Sequence, residues 1–196
     1  MDSKKLIGNL LDFYDFKNKT IVSVGSGGGQ LIEYGHAAKK IFAIDNNEEA
    51  LRKLKESLAK SSLDDKFTLV YSDFYLADQK GDVVMFEFCL HEMPDQVKAV
   101  DHAGEMADDI LVLDHWPESE WAYYVAEDKI VDKSWQALRS FHFRKVQKYE
   151  AAQLFKDYEE LYQKVKVMGE VSINRINPFI GQKNFSIPMA YGFALI

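Results

Sequence analysis

A cluster of glycines, Gly25, Gly27 and Gly29, follows a short apolar run near the beginning of the chain. Glycine tolerates positive φ angles and lets the backbone approach a ligand closely, so this spacing predicts a loop that holds a nucleotide-like molecule. A dinucleotide-binding loop would have a further glycine at position 30, where this chain has Gln30, and a pyrophosphate ligand is therefore disfavoured. Asp45 ends the next apolar run, where its carboxylate could accept hydrogen bonds from both hydroxyls of a ribose.

Four further titratable side chains follow two later apolar runs. His91 and Glu92 come after one run, and Asp114 and His115 come after the next. The carboxyl ends of neighbouring parallel strands open onto the same crevice, so these groups could converge on one site. A neutral imidazole accepts a proton near pH 7, which makes His91 the first candidate for orienting or deprotonating a substrate, with His115 second. Hydrogen bonding of His91 to backbone, and stabilisation of a helix start by Glu92, are the simpler structural interpretations.

A metal site is an alternative use of the same side chains. Asp114 and His115, with Glu87 or Glu92, could bind a divalent ion, but Mg²⁺ prefers several carboxylates and imidazole is a poor ligand for it. We therefore expect no metal. Cys89 is the only cysteine, which excludes an internal disulfide and a cysteine-rich zinc site, and its place on an apolar strand end favours a packing role.

The elements that must position these residues alternate along the first 115 positions of the sequence. Short apolar or β-branched runs predict strands at 20–24, 41–44, 67–71, 83–88 and 110–113. Helical periodicity predicts helices over about 3–14, 31–39, 46–58 and 97–106, the third opened by a capping box of Asn46 and Glu49. Such alternation predicts a Rossmann-like, doubly wound α/β sheet that is mostly parallel.

The second part of the chain departs from this alternation. A helical lid insertion is predicted at about 116–145, with helix-like stretches between Glu118 and Ser140. A longer helix through Leu154, Phe155 and Val165 follows. Two strand-like runs, 171–176 and 186–195, predict a C-terminal antiparallel hairpin that completes a seven-stranded sheet. The absence of repeats and linkers predicts a single domain over 1–196.

The sequence resembles the class I S-adenosylmethionine-dependent methyltransferases. The glycine loop from Val22 to Gln30 and Asp45 resemble the first two motifs of that family, and Ser72-Asp73-Phe74 resembles its adenine-contacting turn. The segment 82–94 is similar to the fourth-strand motif of the small-molecule branch that includes quinone C-methyltransferases. The turn 106–109 departs from the family, because it lacks the usual glycines, and the lid lies where members of the family diverge.

This resemblance implies S-adenosylmethionine as the cofactor and gives the matching residues roles. Asp73 would lie near the adenine amino group and Phe74 against the adenine face. The backbone near Glu87 and Phe88 would lie beside the methionine part. The residues expected to bind the cofactor are Gly25, Ser26, Gly27, Gly29, Asp45, Asn46, Asp73, Phe74 and Glu87; those expected to act in catalysis are His91, His115 and Glu92.

Composition limits the partners. The 196 residues carry a formal net charge of −7, whereas affinity for nucleic acid rests on clustered Lys and Arg, so we expect no nucleic-acid partner. No apolar run reaches about 18 residues, so we expect no membrane span and a cytoplasmic location. The expected reaction is transfer of a methyl group to a small molecule by in-line displacement.

Three other classes remain open. A non-catalytic S-adenosylmethionine-binding module would keep Gly25, Gly27 and Asp45 while filling the acceptor pocket. An NAD-dependent oxidoreductase would share the sheet, but Gln30 and the terminal hairpin count against it. An aminopropyl transferase has a similar glycine loop, yet the chain offers no acidic motif suited to fixing a polyamine.

Overall fold

The computed structural model describes residues 3–27 and 29–196, so Gly28 of the glycine loop and residues 1–2 lie outside the described residues. Five strands come first in the sheet: β1 (Thr20–Val24), β2 (Lys40–Asp45), β3 (Phe67–Tyr71), β4 (Val83–Glu87) and β5 (Asp109–His115). Two longer strands follow, β6 (Lys145–Asp157) and β7 (Lys183–Leu195). The α-helices are α1 (Ser3–Phe13), α2 (Glu48–Ser61), α3 (Gln96–Met106), α4 (Glu120–Tyr124), α5 (Asp128–Leu138), α6 (Tyr158–Val165) and α7 (Glu170–Arg175).

The seven strands form one sheet in the order β3-β2-β1-β4-β5-β7-β6. Strands β1 to β5 pair in parallel, and β7 is antiparallel to both β5 and β6. Alternate residues of β4 enter opposite apolar cores, with Val83 and Met85 in one and Val84 and Phe86 in the other. A strand buried on both faces reads as a continuous apolar run, which is why the sequence located the central strands. The predicted doubly wound fold is confirmed.

The connection from β1 to β2 differs from the prediction. Residues 31–39 were expected to form an α-helix, but the chain makes only a 3₁₀ turn at Ile32–His36. Gly35 explains the tight path, since a Cβ there would lie 2.9 Å from Phe67 Cε2 and 3.2 Å from Ile41 Cδ1. The connection therefore lies too close to the sheet for a full helix with side chains on every side.

The start of α2 also needs a small correction. Asn47, not Asn46, is the N-cap residue, and its side chain accepts a hydrogen bond from the Ala50 amide at 3.1 Å. Asn46 is thereby left in the turn between β2 and α2.

The second half of the chain corrects two predictions. Residues 154–157 belong to β6 rather than to a helix, and α6 begins only after Asp157, whose carboxylate caps the Glu160 amide at 2.9 Å. Val171–Ile176 was expected to be a strand, but 170–175 is helix α7. The antiparallel partner of β7 is therefore β6, and the pair is joined through helices instead of a tight hairpin. Pairing with β7 outweighs the helical spacing of the apolar residues in β6.

The predicted lid segment forms α4 and α5, and both helices bury apolar faces. Trp121, Val131 and Leu138 are each at most 5% exposed. Trp135 donates a hydrogen bond from Nε1 to the carbonyl oxygen of His115 at 2.5 Å, which ties α5 to the end of β5. None of the helices described between residues 3 and 196 is long and apolar enough to cross a bilayer.

Candidate functional site

A cavity of about 440 Å³ opens at the carboxyl ends of β1, β2 and β4, and we call it the glycine-loop cavity. Its position is the one at which ligands bind in doubly wound sheets. The residues that line it are Val24, Gly25, Gly27, Ile44, Asp45, Asn46, Asn47, Ala50, Ser72, Asp73, Phe74, Tyr75, Phe88, Cys89, Glu92, Met93 and Pro94. Six of the nine residues expected to bind the cofactor are in this set, and so is the catalytic candidate Glu92.

Asp45 connects the glycine loop to helix α2. Its Oδ2 accepts a hydrogen bond from the Gly27 amide at 3.2 Å, and its Oδ1 accepts one from the Asn47 amide at 2.9 Å. An ionised carboxylate has about four lone-pair positions, so each oxygen can accept a further hydrogen bond from a ligand. Asp45 can therefore hold the loop and bind ribose hydroxyls at the same time.

The three described glycines of the loop differ in what surrounds the position that a Cβ would occupy. All three have positive φ angles. A Cβ at Gly25 would lie 2.6 Å from Cys89 Sγ, and one at Gly29 would lie 3.0 Å from Leu54 Cδ1 of α2. At Gly27 the nearest described atom would be the Gly25 carbonyl oxygen, 3.7 Å away. A Cβ at Gly27 would thus make one ordinary contact with the described atoms, whereas a Cβ at Gly25 or Gly29 would be crowded by its neighbours.

Glu87 lies beneath the loop in a buried polar network. The Tyr34 hydroxyl donates to Glu87 Oε1 at 2.7 Å, the Ser23 hydroxyl also donates to Glu87 Oε1, and Ser23 Oγ lies 2.6 Å from Ser26 Oγ. Burial raises the pKa of the Glu87 carboxyl, although the hydrogen bonds from Ser23 and Tyr34 oppose the shift. An inner cavity of about 180 Å³ adjoins the network, lined by Gly25, Ser26, Gly27, Gln30, Leu31, Glu87 and Phe88.

The turn after β3 holds the two residues expected near adenine. The Asp73 carboxylate accepts a hydrogen bond from the Tyr75 amide at 2.9 Å, so it caps the 3₁₀ turn Phe74–Leu76. Phe74 is 4% exposed and makes an edge contact with Phe86 at a centroid distance of 5.2 Å. Phe74 is therefore mainly a core residue whose side contributes to the cavity wall.

A second large cavity, of about 480 Å³, lies between the sheet end and α4, and we call it the aromatic cavity. It is lined by Ser3, Gln30, Phe88, His115, Trp121, Val125, Glu127, Gln153, Lys164, Met168 and Met189. Phe88 lines this cavity, the glycine-loop cavity and the inner cavity. It adopts a φ of +52°, which is unusual for a bulky residue and often marks a functional position.

Two histidines and two carboxylates meet beside Phe88. Asp114 is 1% exposed, and its Oδ1 lies 2.5 Å from His91 Nδ1, while its Oδ2 accepts a hydrogen bond from the His91 amide at 3.1 Å. Glu127 Oε2 lies 3.6 Å from His91 Nε2 and 3.6 Å from His115 Nε2. His91 Nε2 and His115 Nδ1 have no hydrogen-bond partner among residues 3–27 and 29–196.

Burial and neighbouring charges shift the pKa values of these side chains in different directions. Burial lowers the pKa of His115 to about 4, so this imidazole is neutral at pH 7. Burial also lowers the pKa of His91, but the hydrogen bond and charge of Asp114, with Glu127 and Glu92, outweigh it and leave that pKa raised. The pKa of Glu127 is raised to about 7 by burial, an effect that His91 opposes and that Glu92 and Asp114 increase.

The arrangement brings the predicted catalytic residues close together, but it differs from the expectation in which of them is accessible. His91 is 3% exposed and covered, whereas His115 and Glu127 line the aromatic cavity. Sequence reasoning missed Tyr34, Phe88 as a shared wall, and Glu127. An acidic residue at the start of a helix is common for dipole reasons alone, so Glu127 gave no distinguishing signal.

Comparison with known proteins agrees with this geometry. A profile of the methyltransferase domain family matches residues 22–106, from β1 to the end of α3. No curated protein matches the chain.

Similar solved structures cover almost the whole chain. A proposed methyltransferase from Bacillus halodurans has a TM-score of 0.68 at 15% identity and covers 99% of this chain and 97% of its own. A proposed RNA methyltransferase from Pyrococcus horikoshii has a TM-score of 0.56 at 16% identity, over 98% and 82% of the two chains. Magnesium protoporphyrin IX methyltransferase from Synechocystis, with bound S-adenosylmethionine, has a TM-score of 0.53 at 13% identity, over 97% and 77%. At these identities the likeness shows a shared fold.

The fold is therefore the Rossmann-like fold of methyltransferases, and residues 22–106 match the methyltransferase domain. The match over residues 22–106 supports S-adenosylmethionine as the cofactor.

Proposed function

We propose that the chain is an enzyme that transfers the methyl group of S-adenosylmethionine to a small molecule held in the aromatic cavity. The observation that carries this proposal is the shared wall at Phe88, which belongs to the glycine-loop cavity on one side and the aromatic cavity on the other. In-line displacement requires the sulfonium and the acceptor to meet at one point. Phe88 marks that point.

The cofactor would lie along the carboxyl ends of β1, β2 and β4. Asp45, with Asn46 beside it, would accept the ribose hydroxyls, and Asp73 would lie near the adenine. The methionine part would extend towards the inner cavity, next to Ser26 and Glu87. Gly27 leaves room for the cofactor because a Cβ there would have one described neighbour within 4 Å, the Gly25 carbonyl oxygen at 3.7 Å.

The acceptor would be a largely apolar molecule with one polar nucleophilic end. Trp121, Val125 and Met189 supply apolar walls, and His115 and Glu127 supply the titratable groups. During transfer the carbon–sulfur bond breaks, the bond from the methyl carbon to the acceptor forms, and the sulfonium becomes a neutral thioether. A proton lost by the acceptor can move to the pair formed by His115, which is neutral at pH 7, and Glu127, whose pKa is raised to about 7.

The open aromatic cavity favours catalysis over a non-catalytic binding module, which would need no space for an acceptor. The net charge of −7 favours a small molecule over nucleic acid. The likeness of 82–94 to quinone C-methyltransferases and a cytoplasmic location remain parts of this proposal. One similar structure is of a magnesium protoporphyrin IX methyltransferase and another is of a proposed RNA methyltransferase, so the likeness in fold does not select the acceptor.

Calorimetry with S-adenosylmethionine, S-adenosylhomocysteine and NAD tests the cofactor. We expect the first two to bind and NAD not to bind. Incubation with methyl-labelled S-adenosylmethionine and a metabolite extract, followed by separation of labelled products by mass, tests transfer. Binding of the cofactor with no labelled product from any extract fraction would favour the non-catalytic module.

A further inference from the structure

We propose that His91, Glu92 and Glu127 form a site for a divalent transition-metal ion between the glycine-loop cavity and the aromatic cavity. One ligand atom of each of these three side chains lies within 4.8 Å of the others. His91 supplies a nitrogen ligand, and the two glutamates supply oxygen ligands. The three residues come from the turn after β4 and from the residue before α5, so the site joins the sheet end to the α4–α5 segment.

The strongest observation is the state of the His91 ring. Its side chain is 2% exposed, and Nε2 has no hydrogen-bond partner among the residues that the structure describes. Leaving a buried nitrogen without a partner costs free energy, so such a group needs an explanation. Nε2 points towards Glu127, whose Oε2 is 3.6 Å away. That separation is too long for a hydrogen bond.

The 3.6 Å separation between His91 Nε2 and Glu127 Oε2 is suitable for two ligand atoms of one ion. Ligand atoms about 2.0–2.2 Å from a tetrahedral ion lie about 3.3–3.6 Å apart. His115 Nε2 is also 3.6 Å from Glu127 Oε2, so a second imidazole borders the same carboxylate.

Asp114 has the geometry of a residue that orients a metal-binding histidine. Its Oδ1 lies 2.5 Å from His91 Nδ1, which fixes the ring and leaves the Nε2 lone pair directed at the proposed ion. Histidine ligands commonly donate their second ring N–H to a carboxylate in this way. Asp114 therefore acts as a positioning residue for His91.

Charge also favours a cation. Asp114, Glu92 and Glu127 surround one imidazole, and no described lysine or arginine lies within 4.0 Å of these carboxylates. Among divalent ions, a mixed imidazole and carboxylate set favours Zn²⁺, Co²⁺ or Mn²⁺ over Mg²⁺ and Ca²⁺. This inference revises the expectation of no metal, which had considered Asp114 and His115 with Glu87 or Glu92 as ligands, without Glu127.

The consequence for catalysis rests on the proposed function. Glu92 lines the glycine-loop cavity and Glu127 the aromatic cavity, so the ion would lie where the acceptor meets the cofactor. An acceptor hydroxyl bound to the ion would have a lowered pKa. The acceptor class that fits is then an apolar molecule with an oxygen nucleophile.

The test is titration of chelator-treated protein with Co²⁺, followed by its visible absorption, and then displacement by Zn²⁺. We expect saturable binding of one Co²⁺ with the intense absorption of a low-coordinate site, complete displacement by Zn²⁺, and no displacement by equimolar Mg²⁺. His91→Ala and Glu127→Gln should abolish that absorption. Asp114→Asn should weaken binding by about 10- to 100-fold, as for other outer carboxylates of metal-binding histidines.

Glu105→Gln is the matched control. Glu105 Oε2 lies 3.6 Å from His102 Nδ1, the same separation as in the site, but its side chain is 77% exposed. If His91→Ala fails to fold, Glu127→Gln still tests the site. This variant should fold because the Glu127 side chain makes no capping hydrogen bond to α5. Absence of Co²⁺ binding, or equal binding in Glu127→Gln and Glu105→Gln, overturns the metal site.

Calorimetry with S-adenosylmethionine on the same samples separates the two proposals. If the cofactor binds and Co²⁺ does not, the metal site is wrong and the proposed function stands. If Co²⁺ binds through His91 and Glu127 but the cofactor does not bind, the proposed function is wrong and the metal site stands.

Discussion

Asp45 Oδ2 accepts a hydrogen bond from the Gly27 amide at 3.2 Å, so a single carboxylate holds the glycine loop against the end of β2. The residue proposed to bind ribose is thus also part of the loop scaffold. The proposed ligand recognition and the loop geometry would be coupled through this one side chain, and we expect a substitution here to affect both.

We expect Asp45→Ala and Gly27→Val each to weaken S-adenosylmethionine binding. The first substitution leaves ribose hydroxyls and the Gly27 amide without an acceptor, and the second places a branched side chain in the cavity at a φ of +50°. Loss of one charge-assisted hydrogen bond costs about 1.5–3 kcal/mol, or about one to two decades in Kd. Calorimetry measures the effect, with exposed Asp132→Ala as the control. Parental affinity in both folded variants would remove these residues from the cofactor site.

His115→Asn should slow methyl transfer more than it changes cofactor affinity, because His115 lines the aromatic cavity. If the acceptor must lose a proton to this imidazole, the single-turnover rate should fall by about 10²- to 10⁴-fold. Asparagine keeps a polar group but cannot act as a base near neutral pH. Exposed His142→Asn is the matched control. A parental rate in His115→Asn, with a verified acceptor, would contradict a role for His115 in proton transfer.

Ligand binding should slow hydrogen exchange unevenly across the segment 118–140. Helix α5 is anchored by buried Val131, Trp135 and Leu138, whereas α4 has five residues and borders the aromatic cavity. We therefore expect added protection at α4 and the α4–α5 junction when cofactor and acceptor are both bound, and little change in α5. Mass-spectrometric exchange with and without ligands measures this difference. Equal exchange in α4 under both conditions would identify the segment as a fixed insert.

Gly192→Ala should destabilise the protein. A Cβ at this position of β7 would lie 2.7 Å from Trp116 Cζ3 and 3.0 Å from Trp135 Cη2, and those two rings pack on each other. Overpacking of this kind costs about 1–3 kcal/mol in the free energy of unfolding. Gly8→Ala in α1 is the control, since nothing described lies within 4 Å of its Cβ position, and it should be stabilising by up to about 1 kcal/mol. Denaturant unfolding that ranks the two variants in the reverse order would contradict this packing.

Asp109 should make folding stability depend on pH in acid. Burial alone would raise the pKa of its carboxyl, but hydrogen bonds from Tyr14, Arg144 and Lys19 lower that pKa to about 2. Because the folded pKa is below the unfolded value of about 3.9, this contribution is present above pH 4 and is lost as the pH falls towards 2.

Asp109→Asn should therefore lower the free energy of unfolding at pH 7 and flatten its decline between about pH 4 and pH 2. Denaturant titrations across that range measure the effect. The exposed neighbour Asp108→Asn should keep the parental pH profile, and an equal flattening in both variants would show that Asp109 has no special role.

The sequence located β1 to β5 to within about two residues, because strands buried on both faces have continuous apolar runs between turn residues. The sequence also predicted that His91, Asp114 and His115 lie close together, because β4 and β5 are parallel neighbours whose carboxyl ends lie side by side. The sequence could not predict that Glu127 lies close to His91, because the distance between them depends on how α5 packs. It misassigned 154–157, because the helical spacing of Leu154, Phe155 and Leu161 spans a strand end and a helix start.

Strand β7 lies between β5 and β6 although it follows both in the chain. Its register joins Leu111 to Leu195 and Lys145 to Leu195, so β6 reaches the rest of the sheet through a strand that comes later. The β5–β7 pairs are 76–84 residues apart in the sequence, against 20 for β1–β2, 26 for β2–β3 and 62 for β1–β4. Pairing between more distant segments is slower to form. The glycine-loop cavity belongs to the early part, while Gln153 of β6 and Met189 of β7 complete the aromatic cavity. We therefore expect the glycine-loop cavity to form before the aromatic cavity during folding.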